Sequence, residues 1–110
     1  AFYTNELKLS KNSYNFLLAT MKSTSTGKQR IKGLLPSGTV VAHKTGTGGS
    51  NDTTGLTSAV NDIGIVFLPK GNYFIISIMV TESGESFETN EKIIADISRI
   101  AWDYFSGNRE

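Results

Sequence analysis

Cysteine is absent from the 110 residues, which excludes disulfides and thiolate metal sites and leaves the redox compartment open. There is one histidine, His43, so a zinc site would have to rely on carboxylates, and neither a metal nor another cofactor is expected. Charge of one sign is lacking too: 11 basic against 10 acidic residues give a formal net charge of +1. With no basic run and no aromatic interleaving, nothing points to a nucleic acid or an anionic membrane surface as a partner. The longest apolar stretch, Tyr73 to Val80, is far too short to span a bilayer. No leader is visible, and the opening "AFYTNELK" carries no methionine; the chain reads as a piece of a longer protein or a processed product.

What is present is ordinary for a globular protein, at 38% hydrophobic and 19% charged residues. The length suits one domain, 1–110, without repeats or an internal boundary. Ser10 precedes Tyr14, Leu17, Leu18 and Met21 at helical spacing, which predicts an N-cap and a helix over 11–23. Three strands are expected: 39–45, 61–68 and 72–80, the last two joined through "PKG" as an antiparallel hairpin. A final helix is expected over 86–105. Its apolar stripe Ile93, Ile97, Ile100 and Tyr104, flanked by Ile94 and Ala101, reads as core. Glu85, Glu88 and Glu91 fall in or near its first turn, where the helix dipole favours anions. The fold class is α/β, of the α+β-like kind: an antiparallel sheet with flanking helices in the order helix–strand–strand–strand–helix, both helices able to cover one face.

"HKTGTGG", 43–49, stands at the end of a β-rich run and asks for a chemical reason. It is not a P-loop, since Gln29 follows Gly27-Lys28, and it is not a dinucleotide fingerprint, since Asn51 stands where the third glycine belongs. Lys44-Thr45-Gly46 matches the K-T-G element that accompanies S-x-x-K and S-D-N in serine acyl-transfer enzymes acting on β-lactams. An ammonium and a hydroxyl on a strand edge hold a carboxylate through charge-assisted bonds. Gly46 lets substrate lie against the strand. The main-chain N–H of Thr47 is placed to meet a developing oxyanion, a donor worth on the order of 10²–10³ in rate.

"LLPSGTVVAHKTGTGG", "NDIGIVFLPKGNYFIISIMV" and "TNEKIIADISRIAWDYF" together resemble the C-terminal portion of class A serine β-lactamases, over nearly the whole chain. The resemblance implies the C-terminal part of the β-lactamase/transpeptidase-like fold. It implies that Lys44, Thr45, Gly46 and Thr47 are the substrate-binding strand, with Lys44 and Thr47 taking part in catalysis. It further implies that Arg30, fourteen residues before Lys44, occupies a position where some members hold the substrate carboxylate. The implied ligand is a β-lactam antibiotic and the implied location periplasmic or secreted.

The rest of the implied machinery is not in these 110 residues. Ser25-Thr26-Gly27-Lys28 fits S-x-x-K, but a glycine interrupts it and no apolar periodicity supports the buried helix that chemistry needs. Ser13-Tyr14-Asn15 mimics the second motif but lies inside the first expected helix. His43 suggests a Ser-His-Asp triad, yet strand alternation turns it away from the side that Lys44 faces. Asn51-Asp52-Thr53 fits a glycosylation sequon but reads as a polar loop. The expectation is a class A β-lactamase segment inactive by itself. Its exposed sheet edge would favour self-association or pairing with a missing N-terminal half. A penicillin-binding transpeptidase or carboxypeptidase relative, or a non-catalytic β-lactam sensor, are the alternatives.

Overall fold

The computed structural model describes Glu6 and residues 8 to 107. Five main elements follow in order: α1 (Lys11–Lys22), β1 (Val41–Thr47), β2 (Thr57–Phe67), β3 (Tyr73–Ser83) and α2 (Phe87–Phe105). Both helices begin where a serine can accept from an orphan N–H. Ser10 accepts from Ser13 N and Ser86 from Thr89 N, each at 3.1 Å, a cap worth about 1 kcal/mol.

The strands form one antiparallel sheet of order β1-β2-β3. β2 and β3 run further than their apolar stretches, because the ladder continues to Thr57 opposite Ser83 and backbone pairing is indifferent to side-chain polarity. Their hairpin closes through a short 3-10 turn, Pro69–Gly71, with Lys70 and Gly71 at φ 68° and 81°. The β1–β2 loop is held by Asn51, whose Oδ1 accepts from the N–H groups of Thr53 and Thr54 at 2.8 and 3.0 Å.

Alternation along the register sorts the sheet into two faces. One carries Val41, His43 and Thr45 of β1, Val60, Asp62 and Val66 of β2, and Phe74 and Ile78 of β3. Ile94 and Trp102 of α2 join Ile31 in covering it, and with Val41, Val60, Val66, Leu68, Phe74 and Ile78 they form the core. Ala42 and Ile65 are buried on the opposite face. There α1 contacts β1, and Lys22 Nζ stands 4.8 Å over the ring of Phe67. The two helices therefore lie on opposite faces, not together on one. α1 packs against β1 on the far side, while α2 and the loop after α1 fill the core side.

A second correction concerns α2. The buried residues are Asn90, Ile94, Ala95, Ser98 and Trp102, whereas Ile93, Ile97, Ile100 and Tyr104 are 37, 43, 69 and 52% exposed. One residue of offset turns a helix by about 100°, and the face with fewer aliphatics is the one that meets the sheet. Ser83 Oγ donates to Asn90 Oδ1 at 2.6 Å and Ser98 Oγ to Ile94 O at 2.8 Å, which leaves Asn90 Nδ2 as the one polar side-chain atom of this face without a partner among the described residues, while Ala95 and Ser98 keep the approach close. Ile63, Ile75 and Met79 are likewise 42, 61 and 64% exposed on the far face of the sheet. In the 110-residue chain, Ile94→Ala is expected to cost about 2–5 kcal/mol and Ile100→Ser under about 0.5 kcal/mol. Urea unfolding of the two variants measures the difference, and equal losses would contradict the burial pattern.

Candidate functional site

The K-T-G residues lie on β1, which has an open edge because β2 occupies only one side. The flanking ladder bonds, Gly48 N to Ala59 O and Phe67 N to Val40 O, set the even-numbered residues of β1 as those bonded to β2. The odd-numbered ones, Thr45 and Thr47 included, therefore turn their N–H and C=O outward. The N–H of Thr47 thus points to the open edge, as an oxyanion donor requires. Lys44 is exposed, on the face opposite His43, and its Nζ donates to the outward Thr45 O at 2.6 Å. The ammonium is thereby laid along the same edge.

Gly46 has a local reason beyond access by a ligand. A Cβ there would stand 3.1 Å from Asn61 Nδ2, so the side chain of the facing residue on β2 already covers the position. Gly48 is more restrictive, since a Cβ would meet Ser58 Oγ at 2.1 Å.

Arg30 is buried, 3% exposed, in the loop between α1 and β1. Its Nε donates to Glu91 Oε2 of α2 at 2.9 Å. Its Nη1 donates to the carbonyls of the facing pair Gly46 and Asn61 at 3.0 and 2.8 Å. Its Nη2 donates to Thr47 Oγ1 at 2.8 Å. The ring of Phe87 lies 5.6 Å from its guanidinium carbon. A guanidinium so placed acts on the edge through Thr47: it occupies an acceptor lone pair of that hydroxyl and leaves the hydroxyl proton to be donated elsewhere.

Sequence reasoning placed Lys44, Thr45, Gly46, Thr47 and Arg30 as site residues, and the structure brings all five to one edge. It missed Asp62, Glu91, Asn61 and Thr26. Asp62 faces Thr45 across the ladder, is fully buried, and takes His43 Nδ1 at 2.9 and 3.0 Å on its two oxygens. A carboxylate inside the apolar run "DIGIV" was the available signal, because such a group is buried only with a partner. His43, 1% exposed, indeed points away from Lys44. Its Nε2 has no hydrogen-bond partner among the described residues, so two members of a triad meet here without a serine. Ser25 and Lys28 lie in a non-helical loop, with Gly27 at φ 73° between them, and Ser13 and Asn15 are exposed on α1. Neither decoy forms a site. No group of three or more candidate metal ligands occurs among the described residues.

The model of the family described as "Beta-lactamase enzyme family" matches residues 3–105. The chain is similar to Beta-lactamase VEB-1 of Pseudomonas aeruginosa, 50% identical over 94% of this chain and 34% of that protein. Among solved structures it is similar to the TLA-1 extended-spectrum β-lactamase, with 57% identity, a TM-score of 0.91, and cover of 96% of this chain and 37% of that one. It is also similar to a class A β-lactamase from Bacteroides cellulosilyticus, at 38% identity and a TM-score of 0.90 over 94% of this chain and 37% of that one. The chain thus spans about a third of the length of the curated relatives it matches.

The Arg30 network makes a prediction about stability. Glu91→Ala leaves a buried guanidinium without its carboxylate and is expected to cost about 3–5 kcal/mol. Thr47→Ala, which removes one hydroxyl acceptor at the exposed end, should cost about 1 kcal/mol. Urea unfolding in low salt and in about 1 M salt distinguishes the two, because the loss on removing Glu91 should persist where exposed pairs are screened.

Proposed function

This chain belongs to the β-lactamase enzyme family, and we propose that it is the C-terminal segment of a class A serine β-lactamase. The whole enzyme hydrolyses the β-lactam amide through an acyl-serine intermediate. This segment supplies the clamp for the substrate carboxylate and half of the oxyanion hole. The observation that carries the reading is the open edge of β1, toward which the Thr47 N–H turns, with the Lys44 ammonium laid along it from one face of the strand and the Thr45 and Thr47 side chains on the other.

The chemistry follows from that edge. A serine supplied from outside these residues attacks the β-lactam carbonyl carbon. Negative charge gathers on the carbonyl oxygen, and the Thr47 N–H, fixed by the sheet, stabilises it without reorganisation. The ring C–N bond then breaks as its nitrogen takes up the proton that the serine gave up, and water, activated by a glutamate also outside these residues, hydrolyses the acyl-serine. Lys44 and the two hydroxyls hold the carboxylate near the ring. Arg30 does not bind that carboxylate as a free surface cation: it holds Thr47 Oγ1 and directs the hydroxyl proton outward.

The relatives favour a hydrolase over a penicillin-binding transpeptidase or a sensor, since they are named as β-lactamases. The name of the TLA-1 enzyme also specifies an extended spectrum, and a broad β-lactam range is proposed here by that likeness. No described helix is long and apolar enough to cross a membrane; a periplasmic or secreted location is proposed from the family.

In the complete enzyme Lys44→Ala is expected to raise KM for a β-lactam by roughly 10- to 100-fold, the worth of a charge-assisted bond. Unchanged KM would remove Lys44 from the clamp. The 110-residue chain alone should show no turnover of a chromogenic cephalosporin, since it carries neither nucleophile nor deacylating glutamate. The exposed strand edge and apolar face are expected to make that chain self-associate, which light scattering tests; a sharp monomer at micromolar concentration speaks against it.

A further inference from the structure

A second buried polar pair lies directly behind the Lys44–Thr47 edge. His43 and Asp62 are 1 and 0% exposed, and Nδ1 of the imidazole faces both carboxylate oxygens, the arrangement of a donor to a carboxylate. The same carboxylate reaches a second element: Asp62 Oδ2 accepts from Ile31 N at 3.2 Å. One side chain on β2 therefore holds both β1 and the loop that precedes it.

The loop is seated with no slack. Gly27 lies at φ 73°, and a Cβ there would stand 2.4 Å from Thr45 Cγ2 and 3.3 Å from His43 Cε1. On the strand side, a Cβ at Gly64 would meet His43 Cβ and Ala42 O at 2.7 Å. Two glycines thus make room for the pair, one above it and one beneath. The consequence is felt at the edge. Thr26 Oγ1 is brought within 3.2 Å of Thr45 Oγ1, with Thr24 Oγ1 a further 3.4 Å behind it. Three residues beyond Gly27 in the same loop, Arg30 reaches Thr47 Oγ1. Both hydroxyls of the clamp are oriented from this one loop.

We propose that the His43–Asp62 pair is a positioning device for recognition of the substrate carboxylate: it clasps the loop 24–31 onto β1, so that Thr26 orients the Thr45 hydroxyl and Arg30 the Thr47 hydroxyl. A hydroxyl has one proton: Arg30 donates to Thr47 Oγ1 and leaves that proton for an anion, and Thr26 Oγ1, when it donates to Thr45 Oγ1, does the same there. This inference rests on the function proposed above. It assigns His43 no contact with substrate and no proton transfer.

The test compares, in the complete enzyme, a chromogenic cephalosporin with its methyl ester, which has the same ring but no carboxylate charge. His43→Leu removes the donor to Asp62 and is expected to lower the preference for the free acid roughly tenfold, through KM and with kcat little changed. His43→Asn keeps an N–H near the Nδ1 position while losing the ring, and should keep the preference within about threefold of wild type. A role in packing alone would lower the thermal midpoint of both variants and leave the preference in place. Equal loss of preference in both, or loss in neither, overturns the proposal. Should His43→Leu fail to fold, Thr26→Val decides: it conserves shape, and a fall in preference of about threefold supports the clasp, while no change overturns it. A wild-type enzyme that turns over neither compound overturns the functional reading and this inference with it. A wild type that turns over the acid, with variants that keep its preference, overturns this inference alone.

Discussion

A buried guanidinium is tolerated only where its donors find acceptors, and Arg30 satisfies that demand by drawing three elements onto its own loop. Glu91 comes from α2, the Asn61 carbonyl from β2, and the Gly46 carbonyl and Thr47 hydroxyl from β1. Shifting any one of these elements would leave a charged donor unpaired in a site shielded from water, which costs several kcal/mol. The position of the open edge relative to the last helix is therefore set by directional bonds. Apolar packing alone would let the helix slide.

Along β1 the core face changes character within a few residues. Val41 joins the apolar cluster with Val66, Phe74 and Trp102, whereas His43, Thr45 and Thr47 meet Asp62, Thr26 and Arg30. Hydrophobic burial is non-directional and suffices where only adhesion is needed. Hydrogen bonds have geometry, and they take over where the Thr45 and Thr47 hydroxyls must point a particular way. The same strand is thus anchored by packing at one end and aimed by polar contacts at the other.

The apolar surface left over has the opposite meaning. Ile93, Ile97, Ile100 and Tyr104 on α2, and Ile63, Ile75 and Met79 on the sheet, are well exposed. These residues lie on two separate surfaces, the outer side of α2 and the far face of the sheet, left uncovered in a chain that spans about a third of the length of the relatives it matches. The core proper is small, and polar networks contribute much of its definition.

Much of this was determined by local sequence. Ser10 and Ser86 mark helix starts because a hydroxyl there accepts an N–H that has no other partner. "PKG" between two β-rich runs closes a hairpin because glycine accepts a left-handed backbone. Lys44-Thr45-Gly46-Thr47 announces its chemistry because an ammonium, hydroxyls and a bare backbone suit an anionic amide substrate. Only the tertiary structure decided the rest. Helix periodicity counts apolar residues but cannot see which stripe meets the sheet, so the isoleucines of α2 read as core while Asn90 and Ser98, bonded inside, took the buried side. The partners of Arg30 and His43 lie 61 and 19 residues away, and strand register and helix docking bring them together. No local pattern encodes which carboxylate will face which cation, because that choice is made by the geometry of the assembled fold.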